Sequence, residues 1–182
     1  MQLDLSYDDL TPAARDVLRA AMAHAAQRAT AEVQPAHILL ALLEIRRSLA
    51  LQLLTALHVE LPQLRAVVAA TLPPVSGPTS TTPILGSAAQ QVVRSAFKEA
   101  RHLGHYRVDA LHLLLALLYD PDCPMYAILS AGGLSLYDLR QQVLHSPRRF
   151  RVRVRDTLQA TVHPSPVFLV LVATLLGSGA AL

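Results

Sequence analysis

The sequence predicts an all-α molecule, a tandem pseudo-two-fold repeat of two four-helix lobes followed by a C-terminal hydrophobic helix. Three observations carry that expectation. The heptads HILLALL at 37–43 and HLLLALL at 112–118 are nearly the same and stand 75 residues apart. The same offset pairs Leu10, Ala14, Val17, Ala21 and Ala25 with Leu85, Ala89, Val92, Ala96 and Ala100, and further on Leu54, Leu61, Leu64, Arg65 and Val68 with Leu129, Leu136, Leu139, Arg140 and Val143, without a gap. Finally, 52% of the chain is hydrophobic while only 4% is aromatic and Trp is absent, so the apolar content is mostly Ala, Leu and Val, a mixture that favours helices over strands.

The elements follow in chain order. Leu10, Ala14, Val17, Leu18, Ala21, Met22 and Ala25 recur at three- and four-residue steps, which predicts a first helix with Thr11 as N-cap, Pro12 in its first turn and an end near Arg28. Its counterpart runs from Ser87 to Leu103, where Gly104 suits a left-handed C-terminal turn. A second helix carrying the heptad starts near Pro35 in copy one and after Asp109, a good N-cap, in copy two; it is apolar nearly all round and therefore buried. Third helices fall near 49–57 and 125–131, and fourth helices near 61–71 and 136–145, opened by Pro62 and capped by Ser135 respectively. The domain thus spans 1–147, with repeat one at 10–72, repeat two at 85–147, and PPVSGPTSTTP at 73–83 as the linker, whose prolines cannot continue a helix.

The charge is localised. The whole chain holds 16 Lys and Arg against 13 Asp and Glu. Five of those arginines, Arg148, Arg149, Arg151, Arg153 and Arg155, lie in RRFRVRVRD, so the rest is close to neutral and no nucleic-acid partner is expected. Residues 148–166 read as an Arg-rich linker. After them 167–182 carry no charge and read as a transmembrane segment, the alternative being a helix packed on the repeats, since 16 residues make about 24 Å of helix against a hydrocarbon core of about 30 Å. Arginines before a span hold their side in the cytoplasm, so the expected location is the membrane with the repeat domain cytoplasmic. The N-terminal MQLDLSYDDL has acidic residues and no apolar run of signal-peptide length, and no secretory signal is expected.

Four stretches, LTPAARDVLRAAMAHA, VQPAHILLALL, AAQQVVRSAFKEARHLGHYRVDALHLLLALL and ILSAGGLSLYDLRQQVL, resemble the Clp N-terminal domain, the doubled helical module at the front of Clp-type AAA+ unfoldases. The resemblance covers residues 8–146. It implies a docking platform that receives substrates and adaptors, without the ATPase: no G-x-x-x-x-G-K-[ST] loop occurs, and the single lysine, Lys98, sits mid-helix. Members of the family that bind phosphoarginine have a Glu before the heptad His; those positions are Ala36 and Leu111, and Thr11 has Gly86 as its counterpart, so that ligand site is not carried over.

What the residues then support is a non-enzymatic protein-binding or adaptor module, with no cofactor, metal or catalytic group expected. Its partner would be a protein or peptide, among them Clp-type ATPase or protease components and their substrates. The alternative is a cytoplasmic regulatory domain of a longer polytopic membrane protein such as an intramembrane protease. His37 and His112 have no carboxylate or nucleophile at a helical neighbour position and are expected to bond the backbone at the start of the buried helix. His102, His105 and His112 fall on a helix end, a turn and the next helix, which is no metal-ligand spacing, and the single cysteine, Cys123, lies in a turn. Thr11, Gln34, Arg107 and Asp109, around the heptad starts, are the candidate exposed contacts.

Overall fold

The computed structural model describes residues 7–145 apart from 76 and 78–81. The Arg-rich linker and the apolar segment expected at 148–182 lie outside the described residues. A 3-10 turn (Tyr7–Asp9) leads into α1 (Pro12–Gln27), α2 (Pro35–Glu44), α3 (Leu49–Ala56) and α4 (Leu61–Ala70), and after the linker into α5 (Ser87–His102), α6 (Ala110–Leu117), α7 (Pro124–Ala131) and α8 (Leu136–His145). Each helix of one copy thus has its counterpart in the other, within a residue or two at the ends.

Local chemistry sets the ends. The Thr11 hydroxyl accepts from the Ala14 N–H at 3.3 Å and Ser48 accepts from Leu51 at 3.2 Å, satisfying donors that the first turn leaves free. α1 stops in a Schellman turn: Thr30 N–H reaches the Ala25 carbonyl at 3.0 Å, and Ala29 between them sits at φ 55°. α5 stops in the same turn, with His105 N–H on the Ala100 carbonyl at 2.8 Å and Gly104 at φ 71°.

The heptad helices are the centre. Every residue from Pro35 to Leu43 and from Ala110 to Leu117 is buried, because these helices pack on both sides. α2 lies against α1 and α4 of its own repeat and against α6 and α7 of the other, while α3 touches α6. The result is one continuous core, from Leu10 to Val143, rather than one closed core per copy.

Two very short parallel pairings, not anticipated from the sequence, cross between the copies. β1 (Glu32–Val33) pairs with β2 (Ile84–Leu85), Val33 opposite Leu85, and Leu10 pairs with Val108. These are the same contact under the 75-residue offset, so the segment entering each first helix adds to the segment entering the other copy's heptad helix. Thr11 N–H to Val108 carbonyl (2.9 Å) and Gly86 N–H to Val33 carbonyl (3.1 Å) repeat the pattern bond for bond.

Candidate functional site

The crossings bring Thr11, of the first copy, onto Asp109, of the second. The Thr11 hydroxyl donates to Oδ2 of Asp109 at 2.7 Å, and Oδ1 of Asp109 accepts from the Leu111 N–H at 3.2 Å. One carboxylate therefore ties the start of α6 to the start of α1. Both side chains were expected to be exposed contacts; they are 9% and 6% accessible, because this bond closes the seam between the copies. The related site holds Gly86 and Gln34. A Cβ at Gly86 would stand 2.7 Å from the carboxylate of the exposed Glu32 side chain and 3.1 Å from the Val33 carbonyl, so a threonine there requires Glu32 to swing aside. Gln34 is exposed and Arg107, the counterpart of Glu32, is half-buried. The four candidates are thus split between two symmetry-related seams, and only Thr11 and Asp109 meet. Ala36 and Leu111 are both buried, so the positions before the heptad histidines face the core with apolar side chains.

His37 and His112 sit at the third position of α2 and α6, fully buried. The N–H of Gln34 donates to Nδ1 of His37 (3.0 Å) and that of Asp109 to Nδ1 of His112 (2.8 Å), which puts each ring proton on Nε2. Nε2 of His112 then lies 2.8 Å from Nδ1 of His105. Nε2 of His37 is buried without a hydrogen-bond partner, its counterpart of His105 being Thr30. Burial, and next the charges of Arg28 and His24, hold the His37 pKa down to about 4; burial, and next His105, hold His112 down to about 3. Both rings are therefore neutral hydrogen-bonding parts of the core at neutral pH. Burial also pushes the Cys123 thiol up, away from thiolate character. Among the described residues no three His, Cys, Asp or Glu side chains are grouped to hold a metal.

A further concavity lies on the pseudo-two-fold axis, away from those seams, and its lining residues are not among the candidates read from the sequence. It is a groove of about 770 Å³ between the α3–α4 and α7–α8 corners. Leu57 to Glu60, Gln63 and Leu64 line one side; their offset counterparts Gly132 to Ser135, Asp138 and Leu139 line the other. Both corners turn through a left-handed residue, His58 at φ 57° and Gly133 at φ 79°. Its floor is leucine, and Val67 on its rim is 44% accessible. The signal that could have located it is the repeat itself: the axis of a duplicated fold is where like corners meet, and a helix corner that cannot fill its neighbour leaves a cleft.

Comparison with known proteins gives the same architecture. The family model for the Clp repeat (R) N-terminal domain matches residues 9–88 and again 84–172. Rv2667 of Mycobacterium tuberculosis is 40% identical over 119 residues, covering 64% of this chain and 46% of its own, so the chain spans about half the length of the curated relatives it matches. Among solved structures, the Hsp104 N-terminal domain from Candida albicans superposes with a TM-score of 0.61 at 24% identity over 75% of this chain and 89% of that one. A ClpV N-domain in complex with a VipB peptide superposes at 0.62, with 19% identity over 72% and 82%.

Proposed function

The chain belongs to the Clp repeat (R) N-terminal domain family, and from that premise we propose that it is a non-catalytic docking module that seats a peptide segment of a partner protein in the groove on its pseudo-two-fold axis. The observation that carries this is the groove itself: an open, leucine-floored concavity to which both copies contribute matched residues. The similar ClpV N-domain is seen with a VipB peptide bound, which supports a peptide as the kind of ligand. Clp-type ATPase or protease components, or their substrates, are the partner class that the family suggests.

Amide chemical shifts followed during titration with a short leucine-rich peptide test this directly. Shifts should cluster on Leu57–Leu64 and Gly132–Leu139, and Val67→Asp together with Ile128→Asp should abolish them. Shifts confined to the Thr11–Asp109 seam would overturn the assignment.

The apolar, uncharged segment 167–182 after five arginines supports a second element of the proposal, attachment to a membrane with the repeat domain on the cytoplasmic side. Among the described residues no single helix is long and apolar enough to cross a membrane, so attachment would rest on that segment. A chain held by apolar insertion stays with membranes through high-salt and alkaline washes. Release by salt alone would leave only the arginines as the anchor, since their attraction to lipid decays within about 8 Å at physiological ionic strength.

A further inference from the structure

The groove is apolar in its floor and acidic at its edge, and we infer that it selects partner segments in which aliphatic side chains stand beside lysine or arginine. This rests on the groove being the docking site proposed above and adds the chemistry of what it takes. Leu64, Leu129, Leu134 and Leu139 are buried beneath it, and Val67 and Ile128 offer partly open apolar surface. The acidic groups that line it are Glu60 and Asp138, one from each copy, both exposed; His58 also lines it, and no lysine or arginine does.

The two carboxylates do not arise by symmetry. Glu60 has Ser135 as its counterpart and Asp138 has Gln63, so each copy supplies one acid at a different position of the same corner. Asp138 accepts from the Ser135 hydroxyl at 2.6 Å, a bond that leaves its charge in place, and neither acid is in an ion pair among the described residues.

Glu60 is the N-cap of α4 and Asp138 lies in the first turn of α8. Each helix start carries roughly half a positive charge, which offsets about half of the two carboxylates and leaves the groove negative by about one. A cationic side chain entering beside the leucine floor gains that field; an anionic one meets it.

The test uses the full chain and three fluorescein-labelled peptides with the same alternating leucines, differing only in carrying lysines, glutamines or glutamates between them. Affinity should fall in the order lysine, glutamine, glutamate, with about tenfold between the first and last, as expected for two partly exposed pairs. In Glu60→Gln with Asp138→Asn, where the amide at 138 still accepts from Ser135, the three peptides should bind alike while the glutamine peptide keeps its affinity. Equal binding of all three by the unaltered chain, still lost in Val67→Asp with Ile128→Asp, would overturn the charge selection and leave the groove as a docking site. Failure of every peptide to bind would overturn both. So would self-association of the chain abolished by Val67→Asp, since the groove would then belong to a second copy.

Discussion

At the scale of single residues, the two copies differ where one backbone needs what only one sequence provides. Both left-handed corner positions are glycine in copy two, Gly104 and Gly133, and carry a side chain in copy one, Ala29 at φ 55° and His58 at φ 57°. A Cβ in this conformation crowds the following carbonyl at a cost of roughly 1 kcal/mol. Ala29→Gly is therefore expected to raise the unfolding free energy by about 1 kcal/mol in urea titration, and Gly104→Ala to lower it by about as much; a destabilising Ala29→Gly would mean that the turn is not strained. The buried imidazoles give a second expectation. His37 and His112 titrate near 6.5 when unfolded but near 4 and 3 when folded. Their contribution is thus complete above about pH 6.5 and is lost as the pH falls towards the folded values. Over that window each ring lowers the unfolding free energy by up to about 1.4 kcal/mol per pH unit. Urea titrations at pH 7, 5.5 and 4.5 should show the loss, and His112→Asn, whatever its stability at pH 7, should show a shallower one. The same slope in both proteins would place the His112 proton elsewhere.

At the scale of elements, the last helix of each copy is fastened by an arginine at an equivalent place, Arg65 and Arg140, but to different partners. In copy two Glu99 on α5, 1% accessible, takes Arg140 through two hydrogen bonds, the Nε one at 2.9 Å. In copy one the Glu99 position is His24, and the carboxylate has moved to Glu44 at the end of α2, which meets His24 at 2.7 Å and Arg65 at 3.6 Å, in solvent. Removing a partner strands a buried charge in one case and loosens a surface pair in the other. Arg140→Met should cost about 3–5 kcal/mol by chemical denaturation, whereas Arg65→Met should stay within about 1 kcal/mol. Equal costs would refute the burial argument. The helices themselves were legible because a 3.6-residue period, a Thr or Asp cap and a proline in the first turn are all local signals; Thr11, Pro12, Pro35, Asp109 and Ser135 stand where those signals place them. The β1–β2 pairing was not legible. Two-residue strands have no period, and their pairing joins segments that only the packed repeats bring together.

At the scale of the whole molecule, the repeat predicted two lobes, and what it could not show is how far they depend on each other. The heptad helices carry apolar side chains on every face, and one copy supplies too few helices to cover them. α2 is finished by α6 and α7, and α6 by α2 and α3. The groove is a product of the same geometry, invisible in a single repeat because each copy builds only one wall of it. The seam is likewise shared, since Thr11 caps α1 with a hydroxyl whose proton is given to Asp109 of the other copy. A fragment ending at residue 72 would uncover the parts of α2 and α3 that α6 and α7 cover, leave Val33 without Leu85 and lose the carboxylate opposite Thr11. Its apolar burial would fall while the entropy of ordering each residue stayed the same, and below about 70 residues a single core rarely supplies enough to balance it. Residues 1–147 are therefore expected to melt as one cooperative helical unit in far-UV circular dichroism. Fragments 1–72 and 73–147 should each melt without a clear transition, and their equimolar mixture should recover helix and a cooperative melt that depends on concentration. If either fragment alone melts as sharply as the pair, the copies are independent lobes, and neither the seam nor the groove would need both copies to form.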